Sequence, residues 1–105
     1  MKDELESERC ARYMKALSER DRLQIIETLL DGPRSVSDVA ALIDAPLQNV
    51  SHHLRCLAVA GLLDSRREGK FIYYALNPAI YRKTRRKNAK SVLDFGCCRI
   101  ELTPR

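Results

Sequence analysis

The sequence predicts a small, mainly α-helical single domain carrying one β-hairpin, and three observations lead there. At 3.6 residues per turn, residues 47–60 place Val50, Leu54 and Leu57 on one face and gather Gln48, Ser51, His52 and Arg55 on the opposite one. Just before them, the run Ser35-Val-Ser-Asp has capping-box spacing, with the serine hydroxyl accepting from the backbone N–H three residues on. A short helix is therefore expected from Val36. Just after them, residues 62–68 and 71–76 flank Gly69 and Lys70, a two-residue hairpin signal in which glycine takes the positive φ. Helix, tight turn, helix and hairpin together make a winged helix-turn-helix, with residues 47–60 as the helix that reads DNA.

The elements follow in order. Residues 1–8 are acidic and without periodicity, and are expected to fray. A helix from Glu8 would bury Cys10, Tyr13, Met14 and Leu17, spaced i, i+3, i+4, i+7. Cys10 on that stripe reads first as a small core hydrophobe. Ser18-Glu-Arg-Asp repeats the capping-box spacing before a second helix, whose buried side is Leu23, Ile26, Leu29 and Leu30 and whose end is Asp31-Gly-Pro. The short helix from Val36 carries Val36, Val39, Ala40 and Ile43 on one side. It stops by Asp44-Ala-Pro, because proline disfavours helical geometry in the residue before it. Pro46 then starts the next helix, and Gly61 ends it in a left-handed conformation. In the hairpin, alternation sends Tyr73 and Tyr74 to opposite faces.

Beyond Pro78 the pattern weakens. Residues 79–90 are compatible with a helix. In residues 91–102, Leu93, Phe95 and Cys97 alternate in one phase and Cys98, Ile100 and Leu102 in the other, as in an extended tail with a bulge at Gly96 and Cys97. The chain of 105 residues thus divides into a frayed terminus (1–8), a winged helix-turn-helix (9–80) and a basic, cysteine-containing tail (81–105) that serves dimerisation or sensing.

Charge and composition narrow the function. The net charge is +5, and residues 82–90 hold six basic residues and no acid, so the remainder is close to neutral. Such a block is either a solvated connector or a phosphate contact. No apolar run approaches a membrane span or a signal segment, which makes a cytoplasmic chain the expectation. Four cysteines without a secretion signal point to free thiols, metal ligation or redox sensing more than to a disulfide scaffold. No nucleophile–base pair, glycine-rich phosphate loop or paired carboxylate appears at usable spacing, so neither an enzyme nor a small-molecule substrate is expected.

The runs Ser35-Val-Ser-Asp-Val-Ala, Val50-Ser-His-His-Leu-Arg and Leu57-x-x-x-Gly-Leu-Leu, with Gly69-Lys and then Tyr73-Tyr-Ala-Leu-Asn-Pro, resemble the ArsR/SmtB family of bacterial repressors over residues 10–80. The resemblance implies a homodimer that represses its own promoter and leaves DNA when a metal ion, metalloid or oxidant reaches a sensor site. It also implies a dimer interface that includes the first helix, and a closing helix. In members that respond to cadmium and lead, cysteines of the recognition helix and the tail bind the metal. Cys56, Cys97 and Cys98 are similar in placement, whereas Ala60 stands where that pattern has a second cysteine. Ser35-Val-Ser replaces the cysteine pair of many arsenic sensors. The ligands of the zinc sensors' C-terminal helix are missing, since His52 and His53 both lie in the recognition helix.

The residues expected to meet operator DNA are Gln48, Asn49, Ser51, His52 and Arg55 on the helix, and Arg66, Arg67 and Lys70 on the wing. Charged wing residues also protect hairpin edges, and both roles stay open for them. DNA binding itself needs no cofactor. Cys97 and Cys98, joined by Cys56 or Cys10, would offer three thiolates to arsenite, cadmium or lead. A thiol-based redox or persulfide response needs the same residues. The alternative of another class is a winged-helix protein-interaction module, which would expose more apolar anchors than this polar face provides.

Overall fold

In a computed structural model of the chain, residues 5–83 and 91–102 are described. Helix α1 (Glu6–Ala16) begins two residues before the expected start, so Glu6 and Glu8 occupy its first turn, where acidic side chains complement the helix dipole. The expectation of fraying is corrected for residues 6–8, and residues 1–4 lie outside the described residues. Cys10, Tyr13 and Ala16 are buried, with Leu17 just beyond, while Met14 is 48% exposed. The buried stripe is narrower than its spacing indicated, because partner packing selects which residues of an apolar face are covered.

Helix α2 spans Arg20–Thr28 and buries Ile25 and Ile26, followed by Leu29. Leu23 is 42% exposed, off the covered side. Ser18 does not cap α2. Its hydroxyl donates to the Lys15 carbonyl at 2.8 Å and so closes α1. The second capping box fares better. The Asp38 N–H donates to Ser35 Oγ at 3.2 Å, and α3 (Val36–Ile43) starts at Val36 as expected. Asp44 then turns left-handed at φ 52°, Pro46 precedes the first helical residue, and α4 runs Leu47–Val59. Val50, Leu54 and Leu57 are fully buried.

The wing is β2 (Leu63–Glu68) and β3 (Phe71–Leu76), antiparallel, with Glu68 opposite Phe71 and Gly69 at φ 61°. A two-residue strand that the sequence did not signal, β1 (Arg34–Ser35), pairs with the other edge of β3. It ties the start of α3 to the wing. Tyr74 is buried and Tyr73 half-buried, on opposite faces as alternation required.

The tail departs from expectation. Residues 81–83 form β4 (Tyr81–Lys83) instead of a helix, and pair with β5 (Ser91–Asp94), which pairs with β6 (Arg99–Leu102). Residues 84–90, the rest of the basic block, lie outside the described residues. The phase change at Gly96 and Cys97 is a hairpin turn and not a bulge: Phe95 N–H donates to the Cys98 carbonyl at 3.0 Å across it. Gly96 takes φ 91°, the positive value a type II′ turn asks of its first central residue. Leu93 and Phe95 from this sheet join Ile25, Leu54 and Leu62 in one apolar core. No helix among the described residues is long and apolar enough to cross a membrane.

Candidate DNA interface and thiol corner

Helix α4 is held from behind and open in front. Its three fully buried residues anchor it, and His53 adds a polar tie: Arg22 Nε of α2 donates to His53 Nδ1 at 3.1 Å, while Arg22 Nη1 reaches the Ala16 carbonyl at 3.3 Å. One guanidinium thus links the end of α1, α2 and the recognition helix. Sequence reasoning assigned His53 no role. Its position one residue before Leu54, turned toward the core side, was the available signal.

Gln48, Asn49, His52 and Arg55 are exposed and Ser51 is half-buried. Gln48, Ser51 and Arg55 line an open cleft together with Ser35, Val36 and Ser37 at the start of α3, and Lys70, Phe71 and Ile72 of the wing. The cleft brings amide, hydroxyl, guanidinium and ammonium donors to one side, the residue types that reach base edges and phosphates. Asn49 and His52 do not line it. Ser35, Val36, Ser37, Leu47, Phe71 and Ile72 line it without having been expected to. Alternation along β3 predicts only one of Phe71 and Ile72 exposed, yet both are, at the tip of the wing.

The two wing arginines already have partners within the wing. Arg66 Nη2 lies 2.7 Å from Glu68 Oε1, and Arg67 Nε donates to the Gly69 carbonyl at 3.2 Å. Both stay exposed, so these contacts compete with a phosphate without preventing it.

The cysteines divide into two places. Cys56 is half-buried on α4, its Sγ 3.6 Å from His52 Nε2 one turn earlier. The others meet at a corner between α1 and the tail. Cys10, buried in the core as expected, is joined to Cys97 by a disulfide with Cα atoms 6.5 Å apart, so free thiols remain only at Cys56 and Cys98. The sequence separation of 87 explains why no local pattern announced it. Cys98, half-buried and free, has its Sγ 3.7 Å from Cys97 Sγ. With Cys10 and Cys97 bonded to each other, no group of three or more His, Cys, Asp or Glu side chains among the described residues is arranged to hold a metal ion. The Cys97–Cys98 sulfur separation of 3.7 Å matches the edge of about 3.8 Å in a tetrahedral thiolate site with metal–sulfur bonds of about 2.3 Å.

The corner is rigidly supported. Phe95 stacks on Tyr13 with ring centroids 4.8 Å apart, and the Cys10 sulfur sits 3.5 Å from the Phe95 carbonyl oxygen. Tyr81 donates its hydroxyl to the Leu30 carbonyl at 2.9 Å and fastens the sheet to the end of α2. The Gly96 N–H donates to Asp94 Oδ1 at 3.0 Å, and Arg82 and Arg99 pair with the same carboxylate. That N–H bond, reinforced by the two guanidinium groups against partial desolvation, holds the Asp94 carboxyl below the ordinary 3.8.

Comparison with known proteins agrees with this geometry. Residues 14–65 match the family described as bacterial regulatory protein, arsR family. The chain is 40% identical over 63 residues to the cadmium resistance transcriptional regulatory protein CadC of Listeria innocua, covering 59% of this chain and 53% of that one. It thus spans about half the length of that relative. It is 35% identical over 66 residues to the transcriptional repressor SdpR of Bacillus subtilis, covering 63% of this chain and 73% of that one. A solution structure of a homodimeric winged helix-turn-helix DNA-binding domain from Mycobacterium bovis, a possible ArsR-family regulator, superposes with a TM-score of 0.65 at 37% identity, over 68% of this chain and 66% of that one. The chain therefore belongs to the arsR family of bacterial regulatory proteins, DNA-binding transcriptional regulators built on a winged helix-turn-helix.

Proposed function

We propose that the protein is a homodimeric repressor that binds a palindromic operator and is released from it by chemistry at Cys10, Cys97 and Cys98. The observation that carries this is the meeting of three of the four cysteines at one corner, on the helix that also touches the recognition helix. Arg12 Nε donates to the Ala60 carbonyl at the end of α4 at 3.3 Å, and Tyr13 lies against Gly61, where α4 gives way to the wing. A displacement of α1 at Cys10 therefore moves the base of both DNA-reading elements. The homodimer and the repressor role are supported by the Mycobacterium bovis and Bacillus subtilis relatives, and the thiophilic ligand by the cadmium resistance relative. Two recognition helices then enter successive major grooves about one helical turn apart.

In the reduced protein the three thiolates suit arsenite, cadmium or lead. Cys56 belongs to a different surface, with His52 as its neighbour, and is left out of this set. A second reading rests on the Cys10–Cys97 bond itself. Two thiols give up two protons and two electrons to a peroxide or persulfide, and Cys98 stands where it can exchange into the bond. Both readings use the same corner and differ in what reaches it.

The test is fluorescence anisotropy on DNA upstream of the protein's own gene. Reduced protein should bind tightly and with salt sensitivity. One of the three ions should abolish binding in wild type and leave a Cys97→Ser/Cys98→Ser variant bound. Release by hydrogen peroxide and not by the ions selects the oxidative reading. No DNA binding at all would sink the repressor reading and favour a protein-interaction module.

A further inference from the structure

The first residue of the recognition helix is out of place for packing. Leu47 stands three residues before Val50, so residues 47, 50, 54 and 57 carry the spacing of one continuous apolar stripe. The last three are fully buried, yet Leu47 is 53% exposed. We infer that Leu47 reads the C5-methyl group of a thymine in the major groove. The inference rests on the DNA-binding reading above and names one base contact within it.

The surroundings of Leu47 point to this role. It lines the open cleft with Gln48, Ser51 and Arg55, and precedes Ser51 by four residues and Arg55 by eight, along one side of α4. Single exposed hydrophobes are ordinary on a protein surface. Leu47 is not one of these, because Val36 of α3 and Phe71 and Ile72 of the wing line the same cleft and give it an apolar side. Of the four, only Leu47 belongs to the helix that enters the groove, and it sits in the first turn of that helix, the part that meets base edges. The helix is anchored without it, by Val50, Leu54 and Leu57.

The major groove presents hydrogen-bonding groups on every base pair and one apolar group, the thymine methyl. Gln48 and Arg55 match the hydrogen-bonding groups, with an amide suited to adenine and a guanidinium suited to guanine. A leucine side chain offers those groups nothing. Against the methyl it gains, since bringing the two together removes apolar surface of both from water. Leu47 beside Gln48 therefore suits neighbouring A·T pairs, with the amide on an adenine and the leucine on a thymine.

The test is fluorescence anisotropy with the full reduced chain on the DNA upstream of its own gene, prepared once with thymidine and once with deoxyuridine throughout. That exchange removes the C5-methyl groups and keeps every hydrogen-bonding group. Wild type should bind the thymidine DNA about tenfold more tightly, from about three- to fourfold at each of two half-sites. Leu47→Ala should lose most of that ratio by binding thymidine DNA more weakly, while on deoxyuridine DNA it stays close to wild type. Leu42→Ala removes a leucine that is 57% exposed on α3 and outside the cleft, and should keep the wild-type ratio. Replacing thymidines one at a time should place the loss on one thymine in each half-site, and circular dichroism checks that the variants fold. A wild-type ratio near one, a ratio unchanged in Leu47→Ala, or a loss spread evenly over all thymines overturns the proposal and leaves the DNA-binding reading standing. A wild type that binds neither DNA overturns both.

Discussion

Asp94 accepts hydrogen bonds from the Gly96 backbone and from Arg82 and forms an ion pair with Arg99, and so pins the tail hairpin in place. Its acid dissociation is displaced downward from 3.8, so the folded state binds the proton less well than the unfolded chain. The stability it contributes is complete above that ordinary value and is lost as the pH falls through the lowered one. Asp94→Asn keeps an oxygen for the Gly96 N–H and removes the charge. In thermal melts, its deficit against wild type should be constant near neutrality and shrink as the pH falls below 3.8; a deficit that grows on acidification would refute the assignment. At this scale the sequence was readable where the physics is local. Ser35 caps α3 because its hydroxyl and the Asp38 N–H are neighbours in the chain. Ser18 has the same spacing, but the Lys15 carbonyl at the end of α1 competes for its hydroxyl and wins. Met14 and Leu23 were misplaced because periodicity defines an apolar face, whereas burial depends on how wide the partner is.

The cysteine bond joins two elements, α1 and the β5–β6 turn, that are neighbours only after folding. Closing so long a loop constrains the unfolded chain and contributes about 2–4 kcal/mol. Cys10→Ser should lower the free energy of unfolding in urea by that order under oxidising conditions, and adding reductant should bring wild type down to the variant. Identical urea midpoints for oxidised wild type and Cys10→Ser would show that the bond does not hold this corner together. The wing and the recognition helix were legible as elements, since each is fixed by a repeat of 2.0 or 3.6 residues and by one glycine at its end. The tail sheet was half legible. Alternation in residues 91–102 signalled extended chain, and the reversal at Gly96 was seen as a change of phase. Whether such a change is a bulge or a turn depends on whether the following strand comes back alongside, which the pattern of one strand does not contain. β1 was invisible for the same reason: two residues acquire strand character only by lying next to β3.

For the molecule as a whole, the basic block of residues 82–90 and the polar face of α4 should do separable things on DNA. Neutralising the block should flatten the salt dependence of binding, the slope of log K against log salt changing by about 0.9 for each phosphate the protein no longer neutralises. Arg55→Ala should instead cut discrimination between operator and scrambled DNA by about 1–3 kcal/mol and leave most of the salt slope in place. A salt titration on both sequences separates the two effects, and equal behaviour of both variants to wild type would refute the assignment of this interface. By itself, the sequence determined the helix-turn-helix and its wing, the polar face of α4 and the location of the excess charge. Each of these is written in periods, caps and turns between residues close together in the chain. The tertiary structure alone decided that the tail closes as a sheet, that Cys10 meets Cys97 and Cys98 while Cys56 does not, and that α1 connects that corner to the base of the recognition helix. Those contacts join residues far apart in the chain, and the register and docking that bring them together are set by the shared core and not by any local pattern.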